Sequence, residues 1–169
     1  MTETAAAEVA IAEMRRLLNY DEDTGLFTAR VSIHKRKAGS VVGTTTWAGY
    51  KEIYLLGRRY RAHRLAFLWV HGRWPCEMID HINGRRDDNR IVNLREATHS
   101  QNLHNQGARK RNKNGLKGIT FSKQSSKWVA TIMVNRKTKR LGVFDTPEAA
   151  HAAYVEAAKV LHGKFFKVA

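Results

Sequence analysis

The C-terminal residues 116–169 carry the pattern that most constrains how this chain folds. Residues 127–134 alternate between two sets of side chains, and a period of two is typical of a strand with one covered face. Two shorter strand patterns flank this strand. A helix should begin after the third strand, because Thr146 can cap its N-terminus, Pro147 suits its first turn and Glu148 interacts favourably with the helix dipole. We predict a three-stranded antiparallel sheet packed on one helix that ends near Leu161. On the middle strand, the side chains that face the helix are Trp128, Ala130, Ile132 and Val134, and those on the other face are Lys127, Val129, Thr131 and Met133. The flanking strands are Gly118–Ser122 and Lys139–Phe144, and the helix starts at Thr146-Pro147-Glu148.

Positive charge is concentrated in the same part of the chain. The sequence has 30 Lys and Arg residues against 15 Asp and Glu residues, a net charge of +15. Residues 107–169 alone hold 14 basic and 3 acidic residues, a net of +11. Such an excess is typical of proteins that bind a polyanion. We therefore expect a nucleic acid partner that is gripped mainly by the C-terminal part.

The sequence predicts a reducing, cytoplasmic location without membrane contact. Its single cysteine, Cys76, can build neither a disulfide framework nor a paired-cysteine zinc site. The first ten residues lack the basic start and apolar stretch of a signal peptide. The longest apolar run, Leu65–Val70, is too short to span a bilayer.

Four segments are predicted along the chain. The first has a short helix at Ala5–Leu18, a turn cluster at Tyr20–Gly25 and a hairpin around Gly57-Arg58. The second has a buried helix, His63–Val70, two short extended pieces and a helix opened by a Thr98/Gln101 capping box. The predicted segments are a leader region at residues 1–61, a core at residues 62–106, a basic linker at residues 107–115 and a sheet-plus-helix domain at residues 116–169.

Residues 78–105 hold the side chains suited to phosphodiester hydrolysis. The reaction needs a base that activates water and a cation that takes up charge on the phosphate. Asp80 and Asn102 offer hard oxygen ligands of the kind that Mg²⁺ or Mn²⁺ prefers, and the imidazole of His81 suits the base. On an ideal strand Asp80 and His81 would point to opposite faces, so we expect a bend or a strand end at this dipeptide.

The wider pattern of residues 62–105 resembles the HNH homing endonucleases of phages and introns, the His-Me finger family. Five short motifs carry the resemblance, among them Ile79-Asp80-His81-Ile82-Asn83-Gly84 and Asn93-Leu94-Arg95; the others are Ala62-His63-Arg64-Leu65-Ala66, Asp88-Asn89-Arg90 and Gln101-Asn102. The resemblance implies an α+β chain with a ββα-metal core that cuts double-stranded DNA. It also implies a phage or mobile-element origin.

The same resemblance implies a role for each matching residue. Asp80 and Asn102 would be the metal ligands, His81 the general base, and Asn93 the central asparagine that orients the loop holding the base. Many relatives carry a histidine where Asn102 stands, so the set here is His-Asn-Asn, which favours magnesium or manganese over zinc. For His63 the sequence favours a histidine that fixes the start of a helix over one that touches phosphate, and for Asn89 and Arg90 loop support and phosphate contact stay equally open.

The C-terminal pattern resembles the ethylene-response-factor (Apetala-type) DNA-binding domain, through Lys117-Gly118-Ile119, the strand at residues 127–132, Arg140–Phe144 and Thr146–Ala150. That family lays its sheet in the major groove. Relatives carry arginines where this chain has Thr120, Ser122 and Met133, so their target sequence should not be transferred. The DNA-binding residues we predict are Lys117, Thr120, Ser122, Lys123, Lys127, Thr131, Arg136, Lys137 and Arg140.

Two other functions stay open on the sequence. The chain could be a sequence-specific DNA-binding regulator with an inactive nuclease domain, or a ribonuclease or RNA-binding factor. A sheet that reads a groove favours duplex DNA, because the major groove of A-form RNA is too narrow for it. With one catalytic set and no heptad pattern, we predict a monomer that nicks one strand. Dimerisation on a palindromic site is the alternative.

Overall fold

The computed structural model describes residues 11–32, 36–105, 115–134 and 137–166. The chain divides into two compact units, Met1–Ala97 and Thr98–Ala169. Both contain helices and small antiparallel sheets, which confirms the predicted α+β class. The beginning of the predicted Ala5–Leu18 helix and nearly all of the predicted linker lie outside the described residues. No helix in the described part of the chain is long and apolar enough to cross a membrane.

Within the described residues, the first unit contains three small antiparallel sheets and two α-helices. Its sheets have the strand orders β1-β2-β3, β4-β5-β6 and β7-β8. The elements are α1 (residues 11–17), β1 (Leu18–Asp21), β2 (Leu26–Ala29), β3 (Val41–Val42), β4 (Thr44–Thr45), β5 (Lys51–Leu55), β6 (Arg58–Arg61), α2 (Ala62–His71), β7 (Met78–His81), a 3₁₀ turn (Ile91–Asn93) and β8 (Leu94–Ala97). The predicted hairpin and the buried helix that follows it are both present.

One apolar core runs through the whole first unit. Met14 from α1 and Phe27 from β2 are buried in the same cluster as Leu65 and Leu68 of α2, and the cluster extends to Leu94 in β8. Strands of two to five residues bury too little apolar surface to be stable alone. Residues of the predicted leader (1–61) and of the predicted nuclease segment (62–106) therefore fill one core together.

The β7–β8 pair sets up the segment that holds the candidate catalytic residues. Asp80 is directly opposite Arg95, and His81 is opposite Leu94. β7 ends at His81, where the chain turns through Ile82–Gly84. This confirms the strand end predicted at the Asp80-His81 dipeptide, and it explains how both side chains can be buried.

The second unit contains α3 (His99–Asn105), β9 (Ile119–Ser122), β10 (Lys127–Val134), β11 (Lys137–Phe144) and α4 (Pro147–His162). Thr98 N donates to Gln101 Oε1 at 2.8 Å and Gln101 N donates to Thr98 Oγ1 at 3.2 Å, which confirms the predicted capping box. Thr146 Oγ1 likewise accepts from Ala149 N and caps α4.

The C-terminal part contains the predicted three-stranded antiparallel sheet, and α4 packs on it. Its strand order is β11-β10-β9. Ala130 and Ile132 are buried on the face covered by α4, and Trp128 packs beside them. The fully buried Ala150 and Ala158 let the helix approach the sheet closely. β11 begins two residues earlier than predicted and has an irregular register at Leu141.

Candidate active site

The carboxylate of Asp80 is buried and paired with a guanidinium across the β7–β8 ladder. Asp80 Oδ2 accepts from Arg95 Nε at 2.8 Å and lies 2.7 Å from Arg95 Nη2. The exposed fractions of the two side chains are 4% for Asp80 and 14% for Arg95. Because the two residues are directly opposite in the strand register, the backbone itself brings the charges together. The pair fixes the orientation of the Asp80 carboxylate.

The imidazole of His81 is held by an amide from the loop that follows it. His81 is 5% exposed, and its Nε2 lies 3.3 Å from Asn89 Oδ1. Asn89 Nδ2 donates to Asp87 O at 3.2 Å, which sets the oxygen of the amide toward the ring. Burial lowers the pKa of His81, although the hydrogen bond with Asn89 and the charge of Asp80 act in the opposite direction. The net shift favours the neutral imidazole that a general base needs.

Asn93 closes the loop that carries these residues. Its Oδ1 accepts from Asn83 N at 2.9 Å, and its Nδ2 donates to Asp88 O at 2.8 Å. One buried amide therefore bridges the two ends of the loop. Its hydrogen bonds are those needed by the predicted central asparagine, whose catalytic role stays a prediction.

Ion pairing strengthens the same loop. Asp88 accepts from the guanidinium of Arg90 at 2.8 and 2.6 Å and from Asn83 Nδ2 at 2.7 Å. The Arg90 guanidinium holds the pKa of the Asp88 carboxyl well below its usual range, against the opposing effect of burial and with a further contribution from Asn83. In the described structure, Asn89 and Arg90 therefore support the loop, which was one of the two readings left open by the sequence.

The β1–β2 hairpin buttresses the loop from outside the motif. Tyr20 Oη donates to Asn89 O at 2.7 Å in a buried contact, and burial raises the pKa of Tyr20. Gly25 has a φ of +72°, and a Cβ there would collide with the backbone of Asn89 and Arg90. Sequence reasoning missed both residues, since only a turn cluster was visible at residues 20–25. The hairpin therefore supports Asn89, the residue that orients His81.

His63 lies against His81 rather than at a phosphate-binding edge. The two rings meet edge to face with centroids 5.0 Å apart, and His63 is 8% exposed. Its Nδ1 has no hydrogen-bond partner among the described residues. Burial, with a smaller contribution from His81, lowers the pKa of His63 to about 3. The side chain is therefore a neutral packing partner of the candidate base, a contact that the sequence did not predict.

Replacing His63 should change how stability depends on pH. Its pKa is about 3 when folded and near 6.5 when unfolded, so the unfolded chain binds more protons between these values. Stability therefore falls as the pH drops below 6.5, by up to about 1.4 kcal/mol per pH unit from this group. We therefore expect the unfolding free energy of His63→Leu, measured in urea, to depend less steeply on pH between about pH 6.5 and 5 than that of wild type, by up to about 1.4 kcal/mol per pH unit. A control, His99→Leu at an exposed site, should keep the wild-type slope, and an unchanged slope in His63→Leu would contradict the prediction.

Asn102, the second predicted metal ligand, lies half-buried on α3, where its N–H donates to Thr98 O at 3.0 Å. It belongs to the second unit, whereas Asp80 belongs to the first, so their approach to one another stays a prediction. In the described part of the chain, no group of three or more His, Cys, Asp and Glu side chains is placed to hold a metal ion.

The predicted DNA-binding residues lie on β9, β10 and β11 and in the segments next to them. The register puts Thr131 opposite Arg140 on the face that α4 leaves open, and Arg140 is exposed. Lys127 Nζ lies 2.9 Å from Asp145 Oδ1, so an acidic neighbour partly neutralises this lysine. Arg136 lies outside the described residues. The other predicted residues, Lys117, Thr120, Ser122, Lys123 and Lys137, are exposed or half-buried.

Comparison with known proteins identifies the motif that holds Asp80 and His81. An HNH endonuclease family model matches residues 60–104. Protein 3.8 of Escherichia phage T7 is 30% identical over 119 residues, which cover 69% of this chain and 93% of that protein. An uncharacterized HNH endonuclease of Acanthamoeba polyphaga mimivirus is 31% identical over 120 residues, which cover 70% of this chain and 61% of that protein. No solved structure matches the chain. The chain belongs to the family of phage T7 Protein 3.8 and carries an HNH endonuclease domain at residues 60–104.

Proposed function

We propose that the protein is a metal-dependent homing-type endonuclease that hydrolyses one phosphodiester bond in duplex DNA, with His81 as the general base. The observation that carries the proposal is the buried His81 imidazole, oriented by Asn89 at the end of β7 within the HNH match. A buried, neutral and oriented imidazole is suited to take a proton from water. The relatives from a bacteriophage and a giant virus fit a viral setting.

The hydrogen bond to Asn89 decides which ring nitrogen acts as the base. The amide oxygen of Asn89 only accepts, so the neutral His81 ring carries its proton on Nε2. Nδ1 is then the basic nitrogen. The oxygen of the attacking water forms the new bond to phosphorus, one water proton passes to Nδ1, and the bond from phosphorus to a sugar oxygen breaks. Asn93 acts by holding the loop that positions Asn89.

Asp80 and Asn102 are the residues we propose to hold the metal ion, in a ββα-metal arrangement of β7, β8 and α3. Both offer hard oxygen atoms, which favour Mg²⁺ or Mn²⁺ over zinc. The buried ion pair with Arg95 holds the Asp80 carboxylate in one orientation. When bound, such an ion neutralises charge that develops on the phosphate.

We propose that the C-terminal sheet supplies most of the grip on DNA, as its resemblance to the ethylene-response-factor domain implies. The net charge of +11 on residues 107–169 supports this assignment. The open face around Arg140 is lined by threonine as well as by basic residues. Such a face can enter a major groove and position the chain through phosphate contacts.

Incubation with supercoiled plasmid tests the proposed function. With Mg²⁺ or Mn²⁺ we expect open circles to appear first, because a monomer with one catalytic set cuts one strand per visit. Chelator should stop the reaction. Linear molecules from the earliest time point, with a rate that rises as the square of protein concentration, would instead indicate a dimer on the DNA. Binding without any cleavage under these conditions would favour the DNA-binding regulator.

Arg140→Ala should weaken DNA binding, because Arg140 is an exposed cation on the open face, opposite Thr131. We expect a loss of roughly 1–3 kcal/mol if the side chain reads a base edge. Fluorescence anisotropy with labelled duplex at several salt concentrations measures it. The matched control is Lys159→Ala on α4, whose ammonium pairs with Glu156 at 2.7 Å and should matter little. Equal losses of DNA affinity in the two variants would contradict the proposal that the open face of the C-terminal sheet binds DNA.

A further inference from the structure

A tight turn between β4 and β5 presents a tryptophan to solvent. Thr46 N donates to Tyr50 O at 2.8 Å, and Gly49 N donates to Thr46 O at 2.8 Å. Thr46 Oγ1 also accepts from Tyr50 N at 3.2 Å. Trp47 lies within this turn, and its side chain is fully exposed. The turn is thus held by three hydrogen bonds, and none of them depends on the indole ring.

Two guanidinium groups are fixed to the same turn. Arg61 at the end of β6 and Arg86 in the loop after β7 each lie 5.0 Å from the centroid of the Tyr50 ring. Arg86 Nη1 donates to Ala48 O at 2.9 Å, and Arg61 Nη1 lies 3.3 Å from Thr46 Oγ1. The two cations therefore lie over the ring of Tyr50, which belongs to the same turn as Trp47.

This turn lies beside the candidate base. The ring of Tyr50 is 6.0 Å from the ring of His81 and 5.5 Å from the ring of His63, measured between centroids. Arg86 belongs to the loop whose Asn89 orients His81. A nucleic acid strand whose phosphate reaches His81 must therefore pass close to the turn.

The charges favour an anionic partner at this place. No carboxylate among the described residues pairs with Arg86, whereas Arg61 Nη1 lies 3.5 Å from Glu52 Oε1. A planar guanidinium binds phosphate in a defined orientation. Single exposed apolar side chains are common on proteins, but here an indole ring accompanies two anchored cations. Aromatic rings stack on nucleobases while neighbouring cations hold the backbone.

We propose that residues 46–50, with Arg61 and Arg86, form a second DNA-contact site, in which Trp47 stacks on a nucleobase next to the cleaved bond. Arg86 and Arg61 bind the flanking backbone phosphates. In an intact duplex the indole enters between base steps as a wedge, which costs unstacking energy. This site rests on the proposed function, because it places the strand at His81.

Affinity of the full chain for labelled duplex DNA, measured by anisotropy in chelator at several salt concentrations, tests the site. We expect Trp47→Ala to bind about 5- to 100-fold more weakly, with an unchanged salt slope, and Trp47→Phe to recover most of the loss. Arg86→Ala should reduce the salt slope by about one, and Arg86→Lys should retain it. Wild type should bind a duplex with a single-nucleotide gap more tightly than an intact one, and Trp47→Ala should lose that preference, because a gap removes the unstacking cost.

Tyr54→Ala is the matched control, because Tyr54 is an exposed aromatic residue on the adjoining strand β5. It should bind like wild type. Wild-type affinity in Trp47→Ala, or equal losses in Trp47→Ala and Tyr54→Ala, would overturn the site and leave the nuclease proposal intact. A lower thermal midpoint of Trp47→Ala would also overturn it, since the ring would then be structural. A wild-type chain that binds no duplex even at low salt would overturn the proposed function together with the site.

Discussion

We expect His81→Ala to lower the rate of DNA cleavage by about 10²- to 10⁴-fold, the contribution expected of a general base. The reason is that no other group described at the site is held by Asn89 to take the water proton. The affinity for duplex DNA should stay close to that of wild type, because we propose that other residues bind the DNA. Plasmid nicking under single-turnover conditions and anisotropy in chelator measure the two quantities separately.

The control for this variant is His71→Ala, at an exposed histidine that ends α2. It should nick plasmid at the wild-type rate. Cleavage by His81→Ala at an unchanged rate would show that the base is misassigned. Equal losses of cleavage and of DNA affinity would show instead that His81 acts in binding.

Arg95→Ala should lower the free energy of unfolding by about 3–5 kcal/mol, the cost of breaking a buried ion pair from one side. Asp80 and Arg95 are both largely buried, and both distances between Asp80 Oδ2 and the guanidinium are below 3 Å. The variant would remove the guanidinium that accompanies the buried Asp80 carboxylate. Denaturant unfolding monitored by circular dichroism measures the loss.

Arg73→Ala is the matched control, because Arg73 pairs with Glu96 on the same strand, β8, at 2.6 Å but at the surface. Solvent screens an exposed pair, so its loss should destabilise the chain far less. If Arg73→Ala destabilised as much as Arg95→Ala, burial of the Asp80 pair would not be the cause. Arg95→Ala with wild-type stability would contradict the prediction directly.

Local patterns predicted much of the fold. The alternation at residues 127–134 predicted the strand β10 and the face that is covered. The capping box predicted at Thr98 and Gln101 is confirmed by two hydrogen bonds. Because Asp80 and His81 would point to opposite faces of an ideal strand, we predicted a bend or a strand end at this dipeptide, and β7 ends at His81. Each of these predictions depends on neighbours within a few residues, where backbone geometry decides which side chains share a face.

Contacts between distant segments were not predictable in the same way. Tyr20 reaches Asn89 across 69 positions of the chain, and His63 meets His81 only because α2 packs beside β7. A pattern of apolar and polar residues states which face is covered but not what covers it. The motif therefore indicated the residues that we propose to be catalytic, whereas the residues that hold them in place could be identified only from the three-dimensional structure.

The shared core and the hairpin contact at Asn89 limit how this nuclease can be recombined. The HNH match begins at residue 60, yet Tyr20 and Gly25 shape the loop beside His81, and Met14 and Phe27 fill the core under α2. A crossover at residue 60 that joins this motif to another protein's leader would separate side chains that must fit each other. A segment exchanged between two proteins must therefore be larger than the HNH match. A substitution at Gly25 would require a compensating change in residues 89–90, because the two backbones are in contact.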